Sequence, residues 1–556
     1  MMQHRKRHIS PRVYMPAIMA LVLVAGFYLG LHMRMSGSGP SERSFFSVGL
    51  DRYNKVNDVI NYIHNAYVDS VSREHLTEES IRSLLKNLDP HSSYIPETDF
   101  RRLNDPLMGS FEGIGIEFNM IKDTVVVIHP IPGGPSEKAG IMPGDRIVMV
   151  GDSLIAGVNM STDDVADMLM GEKGTTVQVS VLRSGVPDLL PFLLTRDKIP
   201  SLSMEIAYMA DESTGYIHLS KFSATTHQEF VNGINQLHQE GMEKMILDLR
   251  GNGGGFLDAA IEVADELLEP GKLIVYTDGE NRPRTYARAR RAGRLETQPL
   301  VILIDEWSAS ASEIIAGAVQ DNDRGLVIGR RSFGKGLVQE QIQLVDGSAM
   351  RLTVARYYTP TGRSIQKPYD EGEEAYFNEF IQRYHNGEMM SPDSIRFDES
   401  LRFETPAGRI VYGGGGIMPD IFVPVEENIA FFNQVFNRGH IYTFAFDYAD
   451  RNRSALDRYR NARAFVDDFV LSEATYNAFL TYVSDLGVRT PDDVDRQTET
   501  LIKTNLKAYI GRNIIGAEAF YPVLHTQDRA LIRALKALQE DTMMVAHDRA
   551  TGRPGE

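Results

Sequence analysis

Three serines alternate with alanine in Ser308-Ala309-Ser310-Ala311-Ser312-Glu313, after the apolar run Leu300–Ile304 and before the amphipathic run Ile314–Val319. A serine there stands at the carboxyl end of a strand and the amino end of a helix. Open α/β sheets bind ligands at such junctions, and the helix terminus offers free N–H groups and a positive partial charge. The same place suits a serine that only caps the helix, so chemistry requires a base. There is no Gly-x-Ser-x-Gly elbow, and the fourteen histidines show no local pairing with a serine and an acid. The other documented base is a neutral lysine.

Lys335 lies in Ser332-Phe333-Gly334-Lys335-Gly336, between glycines that let backbone approach closely and beside apolar Leu337 and Val338. Bringing a lysine from about 10.4 to about 7 requires roughly 4.6 kcal/mol, which only burial or a nearby positive charge supplies. Gln339, four residues on, falls on the same side in a strand or a helix, where its amide can hold the amine. Taken alone, Gly-Lys-Gly reads as a loop with a solvated lysine. A third block, Asp248-Leu249-Arg250-Gly251-Asn252-Gly253-Gly254-Gly255, again ends a strand, and its glycines can aim N–H groups at a developing oxyanion. The G-x-G-x-x-G register of a dinucleotide loop is missing, because Phe256 stands where the third glycine belongs.

The elements that must position these blocks follow from periodicity. From Thr214 the pattern alternates: strand Tyr216–Leu219, helix 226–240, strand Met245–Leu249, helix 256–268, strands Leu273–Tyr276 and Leu300–Ile304, helix 310–320, strand Leu326–Ile328. That order predicts an α/β core with a mainly parallel sheet. Residues 45–107 read as helices, with apolar positions at Val56, Val59, Ile60 and Ile63 and again at Ile81, Leu84 and Leu85. From Gly109 to about Pro200, short β-rich runs broken by glycine and proline predict a small separate domain. Hairpin-like runs follow Gln339, then a charged insertion around 370–405 and a return strand near Ile421–Val423. From Glu426 onward the chain reads as helical. Gly413–Gly416 is a turn rather than a phosphate loop, since no Lys-Ser/Thr follows it.

At 556 residues the chain is several domains long, and 42% hydrophobic with 24% charged residues is ordinary for folded protein. A net charge of −17, with no basic block beyond the extreme N-terminus, argues against nucleic acid as a partner. The absence of cysteine excludes disulfides, thiolate metal sites, a cysteine nucleophile and a lipoprotein anchor. Val13 to Leu31 carry no charge and follow Arg5, Lys6, Arg7 and Arg12. As a helix this run reaches roughly 28 Å, close to a bilayer core. We expect an uncleaved anchor rather than a cleaved signal peptide, with everything after residue 40 outside the cytoplasmic membrane.

The blocks D-L-R-G-N-G-G-G, S-A-S-A-S-E and F-G-K-G-x-V-Q, in this order and spacing, resemble those of the carboxyl-terminal processing proteases, the S41 family of serine peptidases. The resemblance covers roughly residues 50 to 425. It implies a multidomain α/β protein: an S41 core of the ClpP/crotonase-like α/β type with an inserted PDZ domain, an N-terminal helical cap and a C-terminal helical region. On this reading 1–12 is a basic cytoplasmic tail, 13–33 a transmembrane anchor or signal segment, 45–107 the cap, 109–200 the PDZ domain, 201–425 the protease core and 426–556 the C-terminal extension. Gly113-Ile114-Gly115-Ile116 resembles a PDZ carboxylate-binding loop, Ala139–Asp145 its turn-helix signature, and Leu88-Asp89-Pro90-His91-Ser92 the family's pre-PDZ segment.

The family's nucleophile stands 25 residues before its lysine, which selects Ser310 over Ser308 and Ser312. The resemblance makes Lys335 the general base and Gln339 its orienting partner. It puts the oxyanion donors at the amides of Ala311 and of Gly253 or Gly254, although the family often has proline where Gly253 stands. It implies a serine endopeptidase needing no metal and no organic cofactor. Its substrates would be proteins or peptides with apolar C-terminal tails, captured by the PDZ loop with Glu117–Met120 pairing as an added strand, and the PDZ domain would gate the site. The expected location is the inner membrane, single-pass, with the protease domains on the periplasmic side. The C-terminal helices are candidates for self-association or adaptor binding. The rival readings are an inert membrane-tethered PDZ binding protein and a conventional Ser-His-Asp hydrolase.

Overall fold

The computed structural model describes residues 54–540 apart from 428, 460 and 492. The expected anchor at 13–33 lies outside the described residues, among which no helix is long and apolar enough to cross a membrane. Up to Ser80 the described chain forms one unit, carrying the helix Lys55–Ala66, of which only Ile60 is buried, and the first turns of the helix Arg73–Lys86. Ile81 onward forms a second unit.

The core of this second unit is a six-stranded sheet in the order Met204–Met209, Thr214–Leu219, Lys244–Asp248, Leu300–Ile304, Leu326–Gly329, Ile421–Phe422. The first pair is antiparallel and the rest are parallel. A parallel sheet must be covered on both faces, and Leu300–Ile304, a continuous apolar run, is buried at every position. Ile302 and Ile304 point into a cluster with the helices Thr226–Gln239, Leu257–Asp265 and Ala311–Asp321. Val301 and Leu303 point the other way, onto Leu531, Ala534 and Leu538 of the helix Arg529–Gln539. The second face of the core is thus closed by an element of the C-terminal region. Its buried positions Ala530, Leu531, Ala534, Ala537 and Leu538 recur at helical spacing.

One expectation needs correction. Leu273–Tyr276 does not join the parallel sheet. The strand Leu273–Gly279 belongs to a second, antiparallel sheet, where it hairpins with Arg282–Arg288. The long strand Ala349–Tyr358 is central here: Leu337–Gln343 runs along one edge, while Ser93–Ile95 and Leu273–Gly279 share the other. Residues 93–95 therefore leave the helical pattern expected for 45–107. Asp89 holds them in place. Its carboxylate accepts from the amides of His91 and Ser92 and from the hydroxyls of Ser92 and Thr353.

Gly109 and Ser201 lie side by side, with Ser201 N–H donating to Gly109 O at 3.0 Å. Between them the strands Ile116–Met120, Val125–Pro130, Arg146–Val150, Thr176–Leu182 and Leu190–Thr195 form one antiparallel sheet around a separate core. Ile116–Met120 is its edge strand. The C-terminal helices have their own core, built on Phe465, Phe479, Ile502 and Leu506. They also brace the small domain: Arg512 pairs with Glu117 at 2.5 Å, Arg453 donates to Pro143 O at 2.6 Å, and Phe446 packs on Ile121 and Val126.

Candidate active site

The strand Leu300–Ile304 and the helix Ala311–Asp321 place the serine cluster between them, and the three serines part company. The Ser308 hydroxyl donates to Leu249 O at 2.8 Å and that of Ser312 to Asn252 O at 2.9 Å; both are buried and tie the junction to the glycine loop. Only Ser310 of the three lines a cavity of about 390 Å³. Its backbone stands at φ +56°, ψ −111°, a conformation rare for any residue with a side chain. Four hydrogen bonds hold this strained turn, one of them from Glu313 N–H to Ser310 O at 2.9 Å. Ser310 N–H donates to Glu313 Oε2 at 2.8 Å, and Ser310 O accepts from Ile314 N–H at 3.0 Å and from the Tyr357 hydroxyl at 3.1 Å.

Lys335 lines the same cavity. Its Nζ donates to Gln339 Oε1 at 2.9 Å, and Gln339 Nε2 donates to His91 O at 2.7 Å, so the carboxamide presents oxygen, not nitrogen, to the amine. Burial, aided by the Arg351 guanidinium and opposed by Glu313 and Asp89, brings the Lys335 pKa down to about 8. No hydrogen bond joins Ser310 and Lys335 in this structure, and both line the same cavity.

Sequence reasoning missed Glu313. Its buried carboxylate accepts from Ser310 N–H, Ser332 Oγ, Gly334 N–H and Lys335 N–H, so one side chain fixes the backbones of both the serine turn and the lysine loop. Burial pushes its pKa up to about 7 against those four donors. The signal was present as Ser310-x-x-Glu313, the spacing of a capping box. Tyr357 was missed too; its hydroxyl donates to Lys335 O at 2.6 Å. The insertion contributes from the far side. Arg383, in the helix Glu373–His385, donates to Arg331 O and Ser332 O, and Glu388 binds Arg331 and Arg383, clamping the loop that leads to Lys335.

The glycine loop meets the serine turn directly. Gly254 has φ +101°, and a Cβ there would lie 2.8 Å from Ser310 Cβ and 3.0 Å from Ala311 N, so only glycine fits. Its N–H, however, donates to Asn252 Oδ1 at 2.8 Å. Of the expected oxyanion donors this removes Gly254 and leaves the amides of Ala311 and Gly253, which carry no hydrogen bond among the described residues.

The residues Gly113, Ile114, Gly115 and Ile116 line a different, apolar cavity of about 510 Å³ that also takes in Phe118, Ala166 and Leu169. It runs between the edge strand and the helix Thr162–Leu169. The segment around the helix Glu97–Asn104 touches both cavities: Arg101, Asp105 and Pro106 line this one, Asn104 and Leu107 the one that Ser310 lines. No cluster of metal-ligating side chains occurs among the described residues.

The chain is similar to known proteins over more than half of its length. The pattern of Peptidase family S41 matches residues 213–371, that of the PDZ domain residues 113–190, and that of a family of unknown function residues 431–516. The carboxy-terminal processing protease CtpA of Bacillus subtilis (strain 168) is 33% identical over 324 residues, 58% of this chain and 68% of that protein. A carboxy-terminal-processing protease of Bartonella bacilliformis is 36% identical over 314 residues, 56% of this chain and 71% of that protein. A solved photosystem II D1 C-terminal processing protease is 32% identical, covering 56% of this chain and 89% of its own, with a TM-score of 0.32. With 68% and 71% of the two curated relatives matched at 33% and 36% identity, the chain belongs to peptidase family S41 and is a serine peptidase of the carboxy-terminal processing kind.

Proposed function

We propose that the peptidase works through Ser310 and Lys335, cutting envelope proteins near C-termini that the PDZ groove has captured. The observation that carries this reading is the partly buried Lys335 amine, held by Gln339 in the cavity that Ser310 lines. Neutral Lys335 takes the Ser310 proton as Oγ attacks the substrate carbonyl. The negative oxygen that forms is received by the amides of Ala311 and Gly253. Lys335 then returns the proton to the leaving amine, and water hydrolyses the acyl-enzyme by the same route in reverse.

A lysine base has a pH signature. With its pKa near 8, activity must rise through that value, because only the deprotonated amine accepts the serine proton. About a tenth of the amine is neutral at pH 7, and the rate levels off about a unit above the midpoint. We expect the acidic limb of kcat/KM to fall near pH 8. A midpoint near 6.5, the ordinary value for histidine, would remove Lys335 from the role.

The tail groove is the cavity formed by Gly113–Ile116, where a substrate carboxylate meets the loop amides and the peptide adds to the edge strand Ile116–Met120. Gating then passes through residues 97–108, which wall both cavities. We further propose that residues 13–33 hold the enzyme in the inner membrane with its catalytic domains in the periplasm. In spheroplasts, external protease should degrade the catalytic domains of a membrane-pelleted chain. Protection, or release into the soluble fraction, would overturn that placement.

A further inference from the structure

The catalytic cavity is lined by two cationic side chains, Lys335 and Arg351, and by no acidic one. Arg351 lies in the central strand Ala349–Tyr358, between Ser93 on one side and Gln341 on the other. Its guanidinium is partly buried, yet among the described residues it has no carboxylate within ion-pair distance. Its side chain makes one hydrogen bond, Nη2 to Gln341 Oε1 at 3.3 Å. Other partly buried arginines of this protein are better partnered: Arg250, Arg331 and Arg409 pair with carboxylates, and Arg324 donates to the carbonyls of Leu267, Leu295 and Gln298. Desolvation lowers the proton affinity of Arg351, and no acidic neighbour restores it. The acids that act on Lys335 are engaged elsewhere, Glu313 with backbone amides and Asp89 with His91, Ser92 and Thr353.

A guanidinium carries five donors in a planar fork that matches a carboxylate, and desolvating it without such a partner is unfavourable. We propose that Arg351 determines specificity by binding a carboxylate of the substrate inside the catalytic cavity. The carboxylate is either the substrate's own terminus, which would favour cuts close to the chain end, or an acidic side chain near the scissile bond. This site is separate from the Gly113–Ile116 groove, and the inference rests on the peptidase reading of the Ser310 cavity.

The test uses the full-length enzyme and three short N-blocked peptides of one sequence: one ending in a free carboxylate, one in an amide, and one amide-ended with glutamate beside the scissile bond. Rates are taken on the alkaline plateau, where Lys335 is neutral. We expect the free acid or the glutamate peptide to exceed the plain amide at least tenfold in kcat/KM, mainly through KM, and whichever does so identifies the source of the carboxylate. In Arg351→Gln the ratio should fall to within about twofold of one; Arg351→Lys, which keeps the charge without the fork, should be intermediate and serves alone if the glutamine variant does not fold. Equal rates for all three peptides in the wild type overturn the proposal. So does a preference that survives Arg351→Gln, which would place it at the tail groove. Turnover of every peptide by Lys335→Ala would instead reject the dyad and leave the Arg351 comparison to stand by itself.

Discussion

Ser310→Ala and Lys335→Ala are each expected to lower cleavage of a protein with an apolar C-terminal tail by about 10⁴-fold or more, while thermal unfolding stays close to wild type. The two losses should not multiply in the double variant, because nucleophile and base act as one unit. Ser310→Ala removes one oxygen at the cavity wall, and the Glu313 N–H keeps the Ser310 carbonyl as its acceptor at 2.9 Å. Lys335→Ala removes one hydrogen bond to Gln339 and relieves a desolvated amine. Neither change touches the Glu313 contacts that shape both loops, since those are made to backbone amides and to Ser332. Near-normal turnover in either variant would refute the assignment, and unchanged tail binding with lost cleavage would locate the defect in the chemistry.

Ending the chain at residue 425 should abolish soluble expression. The helix Arg529–Gln539 covers Ile246, Val301, Leu303 and Ile328, all fully buried in the intact protein. Exposing four such side chains costs about 1.5–3 kcal/mol each. The total of roughly 6–12 kcal/mol equals most of the net stability of an ordinary domain. The same truncation removes Asp528 from Arg250, whose guanidinium it binds at 2.6 and 3.0 Å. Solubility and the unfolding transition of the shortened chain decide the matter, with Leu531→Ala as the milder variant, expected to cost about 2–5 kcal/mol. A truncated chain that stays soluble and unfolds at the wild-type temperature would show that the sheet face does not need this cover.

Much of the core was legible because its signals are local. Leu300–Ile304 is a continuous apolar run and Ile314–Val319 an amphipathic one, so the junction carrying Ser310 could be placed within a residue. Strand character, however, does not name a partner. Leu273–Tyr276 reads as a strand and is one, but it pairs antiparallel with Arg282–Arg288 across the turn at Glu280-Asn281. Lys335 and Gln339 stood out by type and spacing, whereas the choice of Ser310 among three serines came from the family resemblance. The engagement of the Gly254 amide by Asn252 could not, since it depends on a side chain folding back on its own loop. Nor could His91 as the acceptor for Gln339, or Glu313 as the link to Lys335, which are contacts between segments far apart in the chain. The periodicity of Arg529–Gln539 was visible; the sheet face it covers was not.

That late helix has a consequence for biosynthesis. It is the last of the described elements to leave the ribosome, and until it does, one side of the parallel sheet stays bare. A nascent chain therefore already carries its nucleophile and base but lacks a finished scaffold to align them. Completion of the core beneath Ser310 and Lys335 therefore waits on residues 529–539, far along the chain from both.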